Sequence, residues 1–247
     1  AIVLAERGFR PVLFERRAYL GGSAVLASKA PCKGLVAEYI ETQKNQLAAL
    51  GVQVELNHAP TMAELRRLDP YGIFVAMGGQ QIVPDIPGID RENMFGIEDV
   101  LLGRRAIEGR EVAVIGGGHV GLEVAHSLCA NNKVTIVEMA DEIGAAVYYI
   151  TKFKLLPMLR EAGVTFRTGQ AIAAVDDGSI RLRDTHTGQC TELKAEAVVL
   201  AMGSRPELAA RAAFDRNFDH VVYAGDAVRG GTMLEANRDA FALAWEF

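Results

Sequence analysis

Short apolar runs alternate along the chain with segments whose apolar residues recur at helical spacing. This alternation predicts an α/β protein with parallel strands. The expected strands are Pro11–Glu15, Val52–Leu56, Ile73–Ala76, Val112–Ile115, Val134–Glu138, Val164–Arg167, Ala197–Ala201 and Val221–Ala224, with helices over Gly34–Leu50, His119–Ala130 and Thr151–Ala162. From Ala171 to Leu193 the texture changes to short polar strands with turn residues Asp176-Asp177-Gly178 and Thr187-Gly188, which predict antiparallel hairpins.

An internal repeat organises the pattern. Ala1-Ile2-Val3-Leu4 followed by Val12-Leu13-Phe14-Glu15 has the layout of Ala125-His126-Ser127-Leu128 followed by Thr135-Ile136-Val137-Glu138. Each unit is a helix, a tight turn, an apolar strand and a terminal Glu. Gly8 serves the first turn and Asn131-Asn132 the second, where Asn tolerates a left-handed backbone. A strand and a glycine loop precede the second unit only. By analogy, the matching strand and loop of the first unit are expected upstream of Ala1, leaving its sheet without a central strand.

Composition narrows the class. Of 247 residues half are apolar and 23% charged, which matches a globular protein and excludes disordered, collagenous and disulfide-scaffold chains. A net charge of −5 argues against nucleic-acid or membrane partners, both of which attract basic surfaces. No apolar run approaches the roughly 18 residues of a bilayer helix and no signal peptide opens the chain, so a cytoplasmic protein is expected. Cys32, Cys129 and Cys190 have no close pairing, and neither a disulfide framework nor a metal site is expected.

The candidate chemistry lies in glycines and strand-terminal acids. Glu111-Val112-Ala113-Val114-Ile115 runs into Gly116-Gly117-Gly118-His119-Val120-Gly121, so a G-x-G-x-x-G follows a strand and opens a helix. Gly116 permits the sharp turn, Gly118 lets backbone approach a pyrophosphate, and Gly121 lets helix and strand pack closely. Glu138 ends the next strand, where its carboxylate accepts ribose hydroxyls and repels a 2′-phosphate; NAD(H) is therefore expected over NADP(H). His119 occupies a free position of the loop and reads as a surface residue.

A second nucleotide site is expected from Glu15, the equivalent strand-terminal acid, and from Leu20-Gly21-Gly22. Near the other end, Val221-Val222-Tyr223-Ala224-Gly225-Asp226 places a carboxylate after a strand and just before a helix, where it can bind a sugar-alcohol hydroxyl or simply cap the helix.

Together with Val75-Ala76-Met77-Gly78, Gly116-x-Gly118-x-x-Gly121-x-Glu123 and Leu200-Ala201-Met202-Gly203, these motifs resemble the FAD/NAD(P)-dependent pyridine-nucleotide oxidoreductases along essentially the whole chain. Within that superfamily, Leu20-Gly21-Gly22, Ala30-Pro31-Cys32-Lys33, Gly51-Val52 and Thr61-Met62 are similar to the C-terminal module of old-yellow-enzyme-type flavoproteins: NADH:flavin oxidoreductase, 2,4-dienoyl-CoA reductase, 2-enoate reductase and trimethylamine dehydrogenase. The resemblance implies two Rossmann-like domains of the glutathione-reductase type, an NAD(H) domain over 104–207 inserted in a discontinuous FAD domain over 1–103 and 208–247. It implies that Glu15, Gly21, Gly22, Gly78, Gly225 and Asp226 bind FAD, that Gly116, Gly118, Gly121 and Glu138 bind NADH, and that Glu123 lies near the nicotinamide. Gly203 would be the glycine of the second chain-crossing motif; where relatives have Ala-Thr-Gly this chain reads Ala-Met-Gly, which removes a hydroxyl at Met77 and Met202.

The implied function is an NADH-dependent flavoprotein reductase module that passes hydride from NADH to FAD and feeds an N-terminal (β/α)₈ barrel of the same polypeptide holding FMN and a 4Fe-4S cluster. The cofactors do that chemistry, so no acid/base triad is expected. Two alternatives accompany this reading. One is a module that holds ADP in place of FAD, as in amine dehydrogenases. The other is a single-Cys oxidase or disulfide reductase using Cys32, which lacks a C-x-x-C or C-x4-C partner. Homo-oligomerisation is compatible with either.

Overall fold

A computed structural model describes residues 1–247. The chain runs α1 (Ile2–Glu6), β1 (Val12–Glu15), α2 (Gly22–Lys29), α3 (Gly34–Ala49), β2 (Gln53–Leu56), α4 (Met62–Arg67), β3 (Ile73–Val75), β4 (Gln80–Gln81), β5 (Met94–Gly96) and α5 (Ile97–Leu101). It continues through β6 (Glu111–Ile115), α6 (His119–Leu128), β7 (Lys133–Val137), α7 (Tyr149–Glu161), β8 (Thr165–Arg167), β9 (Gln170–Val175), β10 (Ser179–Asp184) and β11 (Cys190–Lys194). The last elements are β12 (Ala197–Leu200), β13 (Ser204–Arg205), α8 (Leu208–Asp215), β14 (Val221–Tyr223), a 3₁₀ turn over Gly225–Ala227 and α9 (Met233–Glu246).

Two compact units divide the chain. The first comprises Ala1–Val25, Gly34–Gln81 and Ser204–Phe247, the second Leu26–Lys33 and Ile82–Gly203. The second unit is thus an insertion, reaching back before 104 and ending at Gly203. Residues 82–103 fall within it because β5 pairs in parallel with β12, while Ile86 and Ile89 pack on its core. Leu26 and Ala30 bury against its other core, which draws 26–33 into the same unit.

In the second unit a parallel sheet of order β5-β12-β6-β7-β8 is buried on both faces. Period-two alternation divides its side chains. Val112, Val114, Val134 and Ile136 meet Leu122, Val124, Ala125 and Leu128 of α6 and Leu155, Leu156 and Leu159 of α7. Ala113, Ile115 and Val137 face Ile172 and Val175 of β9 and Ile180 and Leu182 of β10 on the other side. The antiparallel sheet β11-β10-β9 is the expected pair of hairpins, turning at Gly178 and Gly188, both with positive φ.

The first unit is less complete. Here β1 pairs in parallel with β2, and β14 with β3, as two separate ribbons. No strand within 1–247 bonds to the other edge of either ribbon. Its core is small, with Leu65, Val75, Phe214 and Ala227 buried and Phe14, Ile73 and Tyr223 half-buried around them. Two of its helices begin with capping boxes: Thr61 with Glu64, and Thr232 with Glu235. Backbone and hydroxyl donation from the Thr holds each Glu below the ordinary carboxylate range. A depressed pKa stabilises the fold above the unfolded value and is lost as pH falls through the folded one. We expect Glu64→Gln and Glu235→Gln to lower Tm at neutral pH, with the difference from wild type shrinking on acidification; a difference that persists undiminished at low pH would contradict the assignment.

The turns of the repeat differ in means. Gly8 closes α1 in a left-handed conformation, φ 91°. The expected left-handed Asn131-Asn132 is absent, since the only non-Gly residues with positive φ are Cys32, Asn57 and Asp69. Instead the Asn132 side chain donates to the carbonyls of Leu128 and Ile107 and accepts the Arg110 N–H, so a side chain caps the helix end in place of a backbone twist.

Candidate nucleotide sites

In the second unit the loop after β6 turns on Gly116, whose φ is 112°. Its N–H bonds to the carbonyl of Val137 at the end of β7 (2.8 Å), which ties the loop to the neighbouring strand. Packing explains the other loop glycines. A Cβ on Gly121 would lie 1.8 Å from the carbonyl oxygen of Gly116, so α6 can approach β6 only with glycine there. A Cβ on Gly118 would meet nothing within 4 Å, and its backbone is ordinary extended (φ −77°, ψ −170°). Glycine at 118 is therefore not required by the protein's own packing. The N–H groups of Gly118, His119 and Val120 bond to no protein acceptor and open α6, an arrangement suited to phosphate oxygens.

Glu138 follows β7 directly. Its Oε2 accepts the N–H of Gly117 (2.7 Å) and its Oε1 that of Ala140 (2.9 Å), so two backbone donors orient the carboxylate beside the loop. Each oxygen keeps a further lone pair that can accept a hydroxyl donor. His119 accepts the Tyr148 N–H at 3.4 Å through Nε2 and reaches no acid. Glu123, in α6, forms an ion pair with Lys33 (2.9 Å), its side chain only 13% exposed. Lys33 is a residue the sequence reading did not place in the site: ninety positions separate it from Glu123, and only folding brings them together.

In the first unit Glu15 repeats much of this geometry. Its Oε1 accepts the N–H of Arg17, two residues on, as Glu138 does with Ala140. The carbonyls of Glu15 and Arg17 accept the N–H groups of His58 and Asn57; those of Glu138 and Ala140 accept Gln170 and Gly169. Asn57 and Gly169 share a left-handed backbone, φ 54° and 62°. One difference stands out: Oε2 of Glu138 binds Gly117 of the glycine loop, whereas Oε2 of Glu15 has no donor.

The remaining first-unit residues fall as follows. Gly21 (φ 114°) and Gly22 (φ 49°) open α2, and their N–H groups bond to no protein acceptor. Gly78 has φ 78°, and β4 just after it pairs with β13. Asp226 sits in the 3₁₀ turn that begins at Gly225, and its Oδ2 accepts the Ser204 hydroxyl (2.9 Å). It caps no α-helix, since α9 starts at Met233 under the Thr232 cap. Gly203, in the second unit, has φ 84° and accepts the Ile82 N–H. All three cysteines are free thiols, and Cys32 is exposed with φ 63°.

Residues 1–220 match the family model described as pyridine nucleotide-disulphide oxidoreductase. The chain belongs to that family. Among family members with known roles, it is 32% identical over 253 residues to the NADH oxidase of Thermoanaerobacter brockii, covering 100% of this chain and 38% of that protein. It is 30% identical over 227 residues to the bilirubin reductase of Mediterraneibacter gnavus, covering 92% and 35%. A solved structure, that of a 2-naphthoyl-CoA reductase in complex with 2-naphthoyl-CoA, superposes with a TM-score of 0.90 at 25% identity, covering all of this chain and 37% of that one. The chain thus spans less than two-fifths of the length of these relatives. As a pyridine-nucleotide oxidoreductase, it carries the Rossmann-like α/β architecture of FAD- and NAD(P)-binding reductases. None of its helices is long and apolar enough to cross a membrane.

Proposed function

We propose that the second unit binds NADH and the first unit FAD, and that the chain is the NADH:flavin oxidoreductase module of a larger reductase. The observation that carries this reading is the duplicated carboxylate geometry of Glu15 and Glu138, each oriented by the N–H two residues on. Such a constellation fits the ribose and diphosphate of an adenine dinucleotide. When bound, the pair of cofactors supplies hydride transfer from nicotinamide to flavin. The chain's own residues bind and orient. Gly118, His119 and Val120 offer N–H donors to a diphosphate, Glu138 and Glu15 accept ribose hydroxyls, Gly21 and Gly22 approach the second diphosphate, and Gly78 and Gly203 let the backbone cross beside them. Gly225 and Asp226 hold a ribityl hydroxyl, a contact that favours FAD over ADP in the first unit. Glu123, held by Lys33, is the carboxylate nearest in sequence to the loop and is assigned to the nicotinamide end.

We further infer that the module feeds an FMN and 4Fe-4S centre in a (β/α)₈ barrel, as in the enoate and dienoyl-CoA reductases its sequence resembles. Relatives more than twice its length, among them a bilirubin reductase, support this. The decisive experiment is to titrate the purified chain with NADH and FAD and record its visible spectrum. NADH binding together with flavin absorption supports the reading; adenine without flavin favours the ADP-holding alternative, and failure to bind NADH overturns the assignment of the second unit. Cys32→Ser should leave NADH binding and dye reduction unchanged, because the proposed hydride transfer runs between the two cofactors and uses no thiol; loss of dye reduction would establish thiol chemistry instead.

A further inference from the structure

The segment that carries Glu138 is also held by an ion pair that the reading above does not use. Nε2 of His186 lies 2.6 Å from Oδ1 of Asp141, three residues past Glu138. His186 sits in the turn between β10 and β11, far away in sequence. The turn is internally built, since Oδ1 of Asp184 accepts the N–H groups of His186 (3.0 Å) and Thr187 (2.7 Å). Thr185 fastens it to the nucleotide-binding segment: its N–H and hydroxyl both donate to the carbonyl of Gly169 (2.8 and 3.1 Å), and the hydroxyl reaches that of Met139 (3.4 Å). Gly169 in turn donates to Ala140, whose N–H orients Glu138. A Cβ on Gly169 would fall 3.5 Å from Asp141 Oδ1 and 3.6 Å from the His186 ring, so the patch closes around that glycine.

Charges around the imidazole are Asp141 opposite it and Asp184, which ends β10 at the start of the turn, with Arg183 one residue before it and Arg167 ending β8 before Gly169. The hydrogen bond and charge of Asp141, with a lesser contribution from Asp184, raise the His186 pKa above its ordinary value. Below that raised pKa the imidazolium is present but engaged by Asp141.

We propose that Asp141 and His186 are positioning residues for coenzyme choice: Asp141 occupies the imidazole and so denies a 2′-phosphate its cation at the rim of the ribose site, reinforcing the repulsion by Glu138. The proposal rests on the reading of the second unit as the NAD(H) site. Phosphate recognition normally recruits a cation with free N–H donors. Here the histidine fastened beside the Glu138 segment is paired with an acid.

The test is the ratio of the NADPH to the NADH dissociation constant, measured by fluorescence titration of the full chain. Asp141→Asn should lower that ratio at least about fivefold near pH 5.5, where a freed His186 is charged, and by much less near pH 8.5. Asp141→Asn combined with His186→Gln should restore the wild-type ratio at both pH values. A merely structural role for the pair would weaken both nucleotides alike and leave the ratio flat with pH. An Asp141→Asn ratio that equals wild type, or that does not change with pH, overturns the proposal. Because NADH affinity is read in the same titration, a wild-type chain that fails to bind NADH refutes the underlying site assignment, whereas a chain that binds NADH with an unmoved ratio refutes only this inference.

Discussion

Gly118→Ala is expected to leave Tm unchanged and to weaken NADH binding by at least about tenfold, whereas Gly121→Ala is expected to destabilise the fold itself by about 1–3 kcal/mol. The two glycines belong to one motif and differ in what surrounds them. An alanine methyl at 118 meets no protein atom within 4 Å and sits on backbone that any residue adopts. Only a bound diphosphate would collide with it. At 121 the methyl would lie 1.8 Å from the Gly116 carbonyl oxygen, which forces α6 away from β6 before any ligand arrives. Thermal unfolding and NADH titration on both variants separate these effects. If Gly118→Ala bound NADH as tightly as wild type, the loop would not be a dinucleotide site and the function proposed for the second unit would fall.

Glu138→Gln is expected to reverse much of the proposed preference for NADH. The carboxylate accepts two backbone N–H groups, from Gly117 and Ala140. Hydrogen bonds to a charged acceptor contribute about 1.5–3 kcal/mol, so its neutral amide should weaken NADH roughly 10- to 100-fold. The same change removes the repulsion of a 2′-phosphate, and the preference measured by competition should narrow by more than NADH affinity falls. An unchanged preference would locate discrimination elsewhere. In the first unit, Glu15→Gln is expected to act on FAD or ADP binding and not on NADH.

Much of the candidate nucleotide site was legible because it is local. Gly116, Gly118 and Gly121 sit within six consecutive residues, and the strand-loop-helix around them follows from apolar alternation giving way to helical spacing. The likeness of Glu15 and Glu138 was also visible as a repeated strand ending in an acid. Other elements carried no comparable signal. The strand Met94–Gly96 has three residues and joins the sheet only because Ala197–Leu200 offers it an edge. That pairing moves the boundary from 103 to 81, since 82–103 are held by contacts distant in sequence. Asn132 was read as a backbone turn because Asn tolerates left-handed φ; the fold uses its amide as a helix cap, which wins because it donates to the carbonyls of two buried residues, Leu128 and Ile107, at once. Asp226 was read beside a helix that in fact begins seven residues later.

The sequence by itself determined the α/β class, the glycine loop, and the two strand-terminal acids and their duplication, because glycine conformational freedom and strand-terminal placement are properties of neighbouring residues. Tertiary structure alone decided that Lys33 pairs with Glu123, that His186 reaches Asp141, and that the two carboxylates differ, Glu138 with both oxygens engaged and Glu15 with one. Those facts depend on backbone paths closing over tens of residues, and in the second unit the free energy that selects them comes from burial of both faces of the five-stranded sheet rather than from any local preference.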